Sequence, residues 1–298
     1  MDSGRLLYKG SGCAMVTPFT KENTVDCAAL RKQAAFQLEN GTDALIVCGT
    51  TGEASTMDAR EQAEAVGMVV EAADGRVPVI AGVGGNDTAR AIRTCRQARS
   101  LGADAVLAVT PYYNKTTQAG LVAHFTALAE ASELPVLLYN VPSRTGLNLL
   151  PATAEELAAH ENIVGLKEAC GDIAQAAETI RRCGPRLPVY SGSDELTLPM
   201  LSVGGAGVVS VAANLVPRRM HRLCALYFDG DTEQARREQL ALLPLISALF
   251  CEVNPIPVKT AMAWLGWCEG RLRLPLVPMR PENKARLISC LQEAGLVP

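Results

Sequence analysis

Eight times between residues 13 and 228 a short apolar run is followed by an amphipathic stretch of helical period. The runs fall at residues 13–16, 44–47, 78–81, 105–108, 135–139, 163–166, 189–190 and 207–211. Each is too short for a buried helix and is mostly apolar, the pattern of a strand covered on both faces. The stretches between them predict helices over 26–39, 58–73, 87–100, 118–131, 151–160, 172–182, 194–202 and 216–228. Asp26 supplies an N-cap for the first, and Asn40-Gly41 stops it. Strands joined by connections of this length pair in parallel, and eight such units in about 230 residues close on themselves. The sequence therefore predicts an α/β protein, a (β/α)8 TIM barrel. An open doubly wound sheet is the other arrangement, but no GxGxxG follows the first run. Beyond residue 231 only helical patterns remain, over 232–250, 255–265 and 281–294. The expected organisation is a catalytic barrel over 1–230 and a C-terminal helical subdomain over 231–298. No linker rich in Gly, Ser or Pro separates them, so the subdomain is expected to pack on the barrel.

A chain of 298 residues, 48% hydrophobic and 20% charged, can bury the core such a barrel needs. The net charge of -3, with no basic stripe, excludes an electrostatic nucleic-acid binder. The ten cysteines are scattered without a CxxC pair or a Cys/His cluster. They are expected as reduced thiols filling core space, with neither a zinc site nor a disulfide framework. No apolar run marks a signal peptide or a membrane span, so the expected location is cytoplasmic.

Barrels of this kind place their active sites at the C-terminal ends of the strands. That rule selects few residues. Lys167 follows the sixth run, in Ile163-Val164-Gly165-Leu166-Lys167-Glu168, where the strand is expected to run out toward a loop. Desolvation against an apolar strand end disfavours the ammonium, and a neutral amine attacks carbonyls. Lys167 is thus a candidate Schiff-base nucleophile, or else a strand-end lysine paired with Glu168. After the second run, Gly49-Thr50-Thr51-Gly52-Glu53 forms either an anion-holding turn or a plain turn before a helix cap. Tyr112 and Tyr113 follow the fourth run and alone read as edge packing. Tyr139 ends the fifth run, one strand from Lys167 and near enough to pass a proton to a bound imine. Arg144, just beyond, can offer a fork to a carboxylate. Ser191-Gly192-Ser193-Asp194 makes another tight turn, and Val208-Val209 reaches the same rim. No metal-ligand cluster accompanies this set, which suits covalent catalysis on a small keto acid.

Gly49-Thr50-Thr51-Gly52-Glu53, Tyr112-Tyr113, the segment 139–146 and Gly165-Leu166-Lys167-Glu168-Ala169 resemble the signatures of the dihydrodipicolinate synthase / N-acetylneuraminate lyase family. The likeness spans nearly the whole chain, including Asn254-Pro255-Ile256-Pro257-Val258-Lys259. It implies a class I lyase that condenses pyruvate with L-aspartate 4-semialdehyde in the diaminopimelate route to lysine. Lys167 would carry the imine with pyruvate, so no cofactor and no metal are implied. The pyruvate carboxylate would rest on the Thr50-Thr51 turn, with Gly192 and Val209 lining the pocket. Tyr139, Thr50 and Tyr113 would form a proton relay, and Arg144 would hold the carboxylate of the semialdehyde. The resemblance places Tyr113 across a subunit interface, in a homotetramer built as a dimer of dimers.

The sialic acid branch of the family generally lacks an arginine matching Arg144, which favours the synthase over other pyruvate-dependent aldolases. A keto-acid-binding protein without catalysis is the remaining alternative, although every relay position is filled. Lysine-inhibited relatives bind lysine at positions matching Ala54, Ser55, Ala59, Gln62, Asn86, Arg90 and Tyr112. Arg90 stands where sensitive forms have a glutamate, and with Ala59 and Gln62 it implies weak or absent inhibition. Cys48, just before the Thr-Thr turn, is expected as inert core filling, the alternative being an oxidation-sensitive thiol.

Overall fold

The computed structural model describes residues 6–298, so residues 1–5 of the span assigned to the barrel lie outside the described residues. Eight parallel strands follow one another around a closed barrel in chain order. They are β1 (Gly10–Ala14), β2 (Ala44–Val47), β3 (Val79–Gly82), β4 (Ala105–Val109), β5 (Val136–Asn140), β6 (Ile163–Glu168), β7 (Val189–Ser191) and β8 (Gly207–Ser210). The ring closes where β1 pairs with β8, from Gly10↔Gly207 to Cys13↔Ser210. Helices α1 (Cys27–Glu39), α2 (Ala59–Ala73), α3 (Thr88–Ser100) and α4 (Gln118–Ala131) cover the first half. A single turn α5 (Pro142–Thr145), then α6 (Pro151–Leu157), α7 (Ile173–Cys183), α8 (Thr197–Ser202) and α9 (Pro217–Phe228) cover the second. The chain ends in α10 (Thr232–Leu249), α11 (Ile256–Trp264) and α12 (Pro281–Glu293). Of these, α10 packs on α9 and α12.

The helix starts are written in the sequence. Asp26, Asp58, Asp87, Thr117, Asp172 and Asp231 each accept a backbone N–H of the first turn, which satisfies donors the helix itself leaves open. Asp58 and Glu61 exchange such bonds reciprocally as a capping box. Inside the barrel, Tyr8, Ile46, Ile80, Leu107, Leu137, Tyr139, Tyr190 and Val209 form a separate apolar cluster from the layer between strands and helices. No helix among the described residues is long and apolar enough to cross a membrane.

Four local departures from these expectations occur. The first strand runs over Gly10–Ala14 rather than 13–16. Its Gly-Ser-Gly opening has no apolar pattern because space is short: a Cβ on Gly12 would stand 2.7 Å from Ile46 Cδ1 and 2.8 Å from Tyr8 Oη. The sixth strand does not run out before the lysine but continues through Lys167 and Glu168, paired to β5 and β7. The helix expected over 151–160 ends at Leu157. The one expected over 194–202 opens as a 3₁₀ turn, and only Thr197–Ser202 is α-helical. There the Asp194 carboxylate does not cap its own helix: Oδ2 accepts from Val211 N–H and Ala212 N–H, both at 3.0 Å, at the end of β8.

Candidate active site

Alternation along β5 and β6 sorts neighbouring residues to opposite faces of the barrel wall. Tyr139 is registered against Lys167, and Asn140 against Glu168. Tyr139 belongs to the interior cluster, and the Lys167 ammonium lies 4.1 Å from its ring centroid. A cation over an aromatic face gains about 0.5–2 kcal/mol, so the ring holds the amine in place at the barrel interior. Lys167 is 7% exposed, and among the described residues no carboxylate lies within ion-pair distance of it.

The alternative of a Lys167–Glu168 pair fails because Glu168 faces the other way. Its carboxylate accepts from Asn140 Nδ2 at 2.9 and 3.1 Å, from Cys170 N–H at 2.8 Å and from Gln175 Nε2 at 3.3 Å. Burial raises its pKa, and those donors oppose the rise. Glu168 thus ties the strand end to α7 while leaving the lysine unpaired.

A cavity of about 300 Å³ opens at the C-terminal end of the barrel. Its lining includes Thr50, Val109, Tyr139, Val141 and Arg144. The structure thus brings Thr50, Tyr139 and Arg144 to one cavity, with Lys167 behind the Tyr139 ring. Val209 is 1% exposed in the interior cluster beside Tyr139. Gly192 abuts the lysine: a Cβ there would stand 3.2 Å from Lys167 Cε and 2.6 Å from Ala169 Cβ. Gly192→Ala is therefore expected to displace the amine and lower kcat on the order of 10²-fold with the fold retained. Steady-state kinetics beside a circular dichroism spectrum reads this, and an unchanged kcat refutes it.

The 49–53 segment is a real turn, with Gly52 N–H bonded to Gly49 C=O and Glu53 N–H to Thr50 C=O, both at 3.1 Å. Thr51 is nearly buried, and its Oγ1 accepts from Asn254 Nδ2 at 3.0 Å. Arg144 is exposed on α5, where one guanidinium nitrogen donates to the Asn254 carbonyl at 3.2 Å. Tyr113 is not brought to the site of its own chain. It is 91% exposed and sits at φ 66, a conformation that non-glycine residues rarely hold without cause.

The same cavity extends past Ser55, Gln62, Asn86, Arg90 and Tyr112, so these positions form one cleft with the site mouth. Cys48 is buried behind the turn, and burial pushes its thiol up to about 12, the direction of an unreactive core cysteine.

Sequence reasoning assigned no role to Asn254 or to a buried ion pair beneath the turn. Glu53 closes the turn at φ 52 and meets Lys259 of α11, Nζ to Oε1 2.5 Å, with both side chains essentially inaccessible. Its other oxygen accepts from Arg273 N–H at 3.0 Å. One signal could have found the pair: Lys259 is the only charged residue in the helix Ile256–Trp264.

The profile of the dihydrodipicolinate synthetase family matches residues 7–294. A relative from Thermoanaerobacter sp. (strain X514), named 4-hydroxy-tetrahydrodipicolinate synthase, is 52% identical over 292 residues, 98% of each chain. Among solved structures, dihydrodipicolinate synthase from Thermotoga maritima is similar with a TM-score of 0.96 and 44% identity, covering 98% of this chain and 100% of that one. The chloride-inhibited dihydrodipicolinate synthase from Acinetobacter baumannii, complexed with pyruvate, gives 0.95 and 42%, covering 97% and 99%.

Proposed function

Because the chain belongs to the dihydrodipicolinate synthetase family, we propose that this site is the one at which it acts as a 4-hydroxy-tetrahydrodipicolinate synthase, condensing pyruvate with L-aspartate 4-semialdehyde. The observation that carries the reading is the unpaired, nearly buried amine of Lys167, held 4.1 Å from the centroid of the Tyr139 ring that lines the cavity. Neutral Lys167 attacks pyruvate C2, and water leaves to give the imine. Loss of a C3 proton gives the enamine, whose C3 bonds to the aldehyde carbon. The substrate's own amine then closes on C2 and releases the lysine. Tyr139 stands beside the amine to carry protons in and out, with Thr50 at the next turn.

The Thr50-Thr51 turn offers the donors for the pyruvate carboxylate, Gly192 the room for the imine beside Lys167 Cε, and Val209 an apolar wall. Arg144 lines the mouth and holds the semialdehyde carboxylate. No cofactor or metal enters this sequence of steps. Tyr113, exposed and held at positive φ, completes the relay of a neighbouring subunit in a cytoplasmic homotetramer, a dimer of dimers. Arg90 in the cleft repels the lysine ammonium, so a lysine titration of the assay is expected to show weak inhibition or none.

Borohydride reduction with pyruvate, followed by peptide mass spectrometry, tests the chemistry. The expected product is a three-carbon adduct on Lys167. An adduct elsewhere, or none on folded protein, overturns the reading. Turnover of L-aspartate 4-semialdehyde tests the partner, and trapping without that turnover moves the chain to another aldehyde of the family.

A further inference from the structure

The segment Asn254–Lys259 lies outside the barrel strands, yet one of its residues bonds both to the 49–53 turn and to Arg144. Asn254, 7% exposed, precedes α11. Its side-chain Nδ2 donates to Thr51 Oγ1 at 3.0 Å, while its backbone carbonyl accepts from Arg144 Nη2 at 3.2 Å. Its Oδ1 is buried without a protein partner, a cost that an asparagine placed only for packing would avoid.

The direction of the first bond matters. A threonine hydroxyl has one proton and two lone pairs. With one lone pair taken by Nδ2, the proton stays free to be donated elsewhere, and an amide donor cannot receive it. We infer that Asn254 is a positioning residue for the reaction, one that keeps the Thr51 hydroxyl oriented as a donor to the carboxylate of the keto acid on the 50–51 turn. This rests on the synthase reading of the site. The helical part of the chain thereby prepares the pyruvate subsite through a side chain. It holds Arg144, at the other subsite, through a backbone atom that substitution of Asn254 leaves in place.

One feature separates this role from packing. Asn254→Asp keeps the shape but replaces the donor with an acceptor and adds a buried negative charge, so it is expected to be worse than Ala on either account. The effect of an orienting role, by contrast, must pass through the Thr51 hydroxyl, so it disappears when that hydroxyl is removed.

The experiment measures the pyruvate concentration for half-maximal borohydride trapping at Lys167 in the parent, Asn254→Ala, Asn254→Asp, Thr51→Val and the Thr51→Val/Asn254→Ala double variant. The expected result for Asn254→Ala is a rise on the order of tenfold, the scale of one hydrogen bond to a charged group, with a larger rise for Asn254→Asp. In the Thr51→Val background, Asn254→Ala is expected to change the value by less than about twofold. The KM for the semialdehyde stays near the parent's, because Arg144 keeps its backbone acceptor. Additive effects in the double variant, an unchanged pyruvate dependence, or equal rises in both substrate constants overturn the inference. In each of those cases the parent still traps pyruvate on Lys167. Absence of that adduct in the parent instead removes the synthase reading, and this inference with it.

Discussion

Lys167→Ala protein is expected to fold normally and to lose turnover on the order of 10⁵-fold, the scale on which removal of a covalent nucleophile acts. The loss is large because nothing nearby can replace the amine. Lys259 is itself buried, but it is engaged with Glu53 beneath the turn. Lys167→Arg is expected to fail equally, since a guanidinium remains charged and cannot form the imine. Stability should not fall with activity. The lysine is 7% exposed and unpaired among the described residues, so its replacement leaves no buried partner unsatisfied. Steady-state kinetics and urea unfolding on the same preparation read both effects. Retention of more than about 1% of parental kcat rules out imine formation at Lys167 as the route.

Lys259→Met is expected to be strongly destabilising, costing about 3–5 kcal/mol. Methionine fits the length of the lysine, so the effect isolates charge. Glu53 would be left buried with the backbone N–H of Arg273 as its main remaining donor. In the parent, burial lowers the Lys259 pKa, and the attraction of Glu53 opposes that shift. Glu53→Gln/Lys259→Met should recover much of the loss, because both charges leave together. Urea midpoints of the parent, the single and the double variant test this, and a loss below about 1 kcal/mol in the single variant would mean that water reaches the pair. Because Glu53 closes the turn that carries Thr50 and Thr51, the variant is also expected to bind pyruvate less well.

Much of this molecule was legible in the residues. The strands over Ala44–Val47 and Ala105–Val109 and the helices capped by Asp26, Asp58, Asp87 and Asp172 announce themselves through apolar runs and capping side chains. Their repetition at crossover length leads to a closed barrel because a parallel strand must be covered on both faces. The rule that barrel chemistry sits at strand ends then selected Lys167, Tyr139, the 49–53 turn and Arg144. Those signals are local, a period or a cap or a position after a strand, and local signals survive in a linear string.

What the string did not carry is direction and partnership. That Lys167 turns to the Tyr139 ring inside the barrel while Glu168 faces α7 follows from the pleat once the strand is known to continue through both. That Gly10–Ala14 is a strand at all depends on how little room Tyr8 and Ile46 leave around Gly12. Asn254 meets Thr51 across 203 residues of sequence, and Lys259 meets Glu53 across 206. Pairings of that separation have no periodic signature. They form because burial leaves a donor or a charge no water to bond with, and only the folded arrangement determines which distant group takes its place.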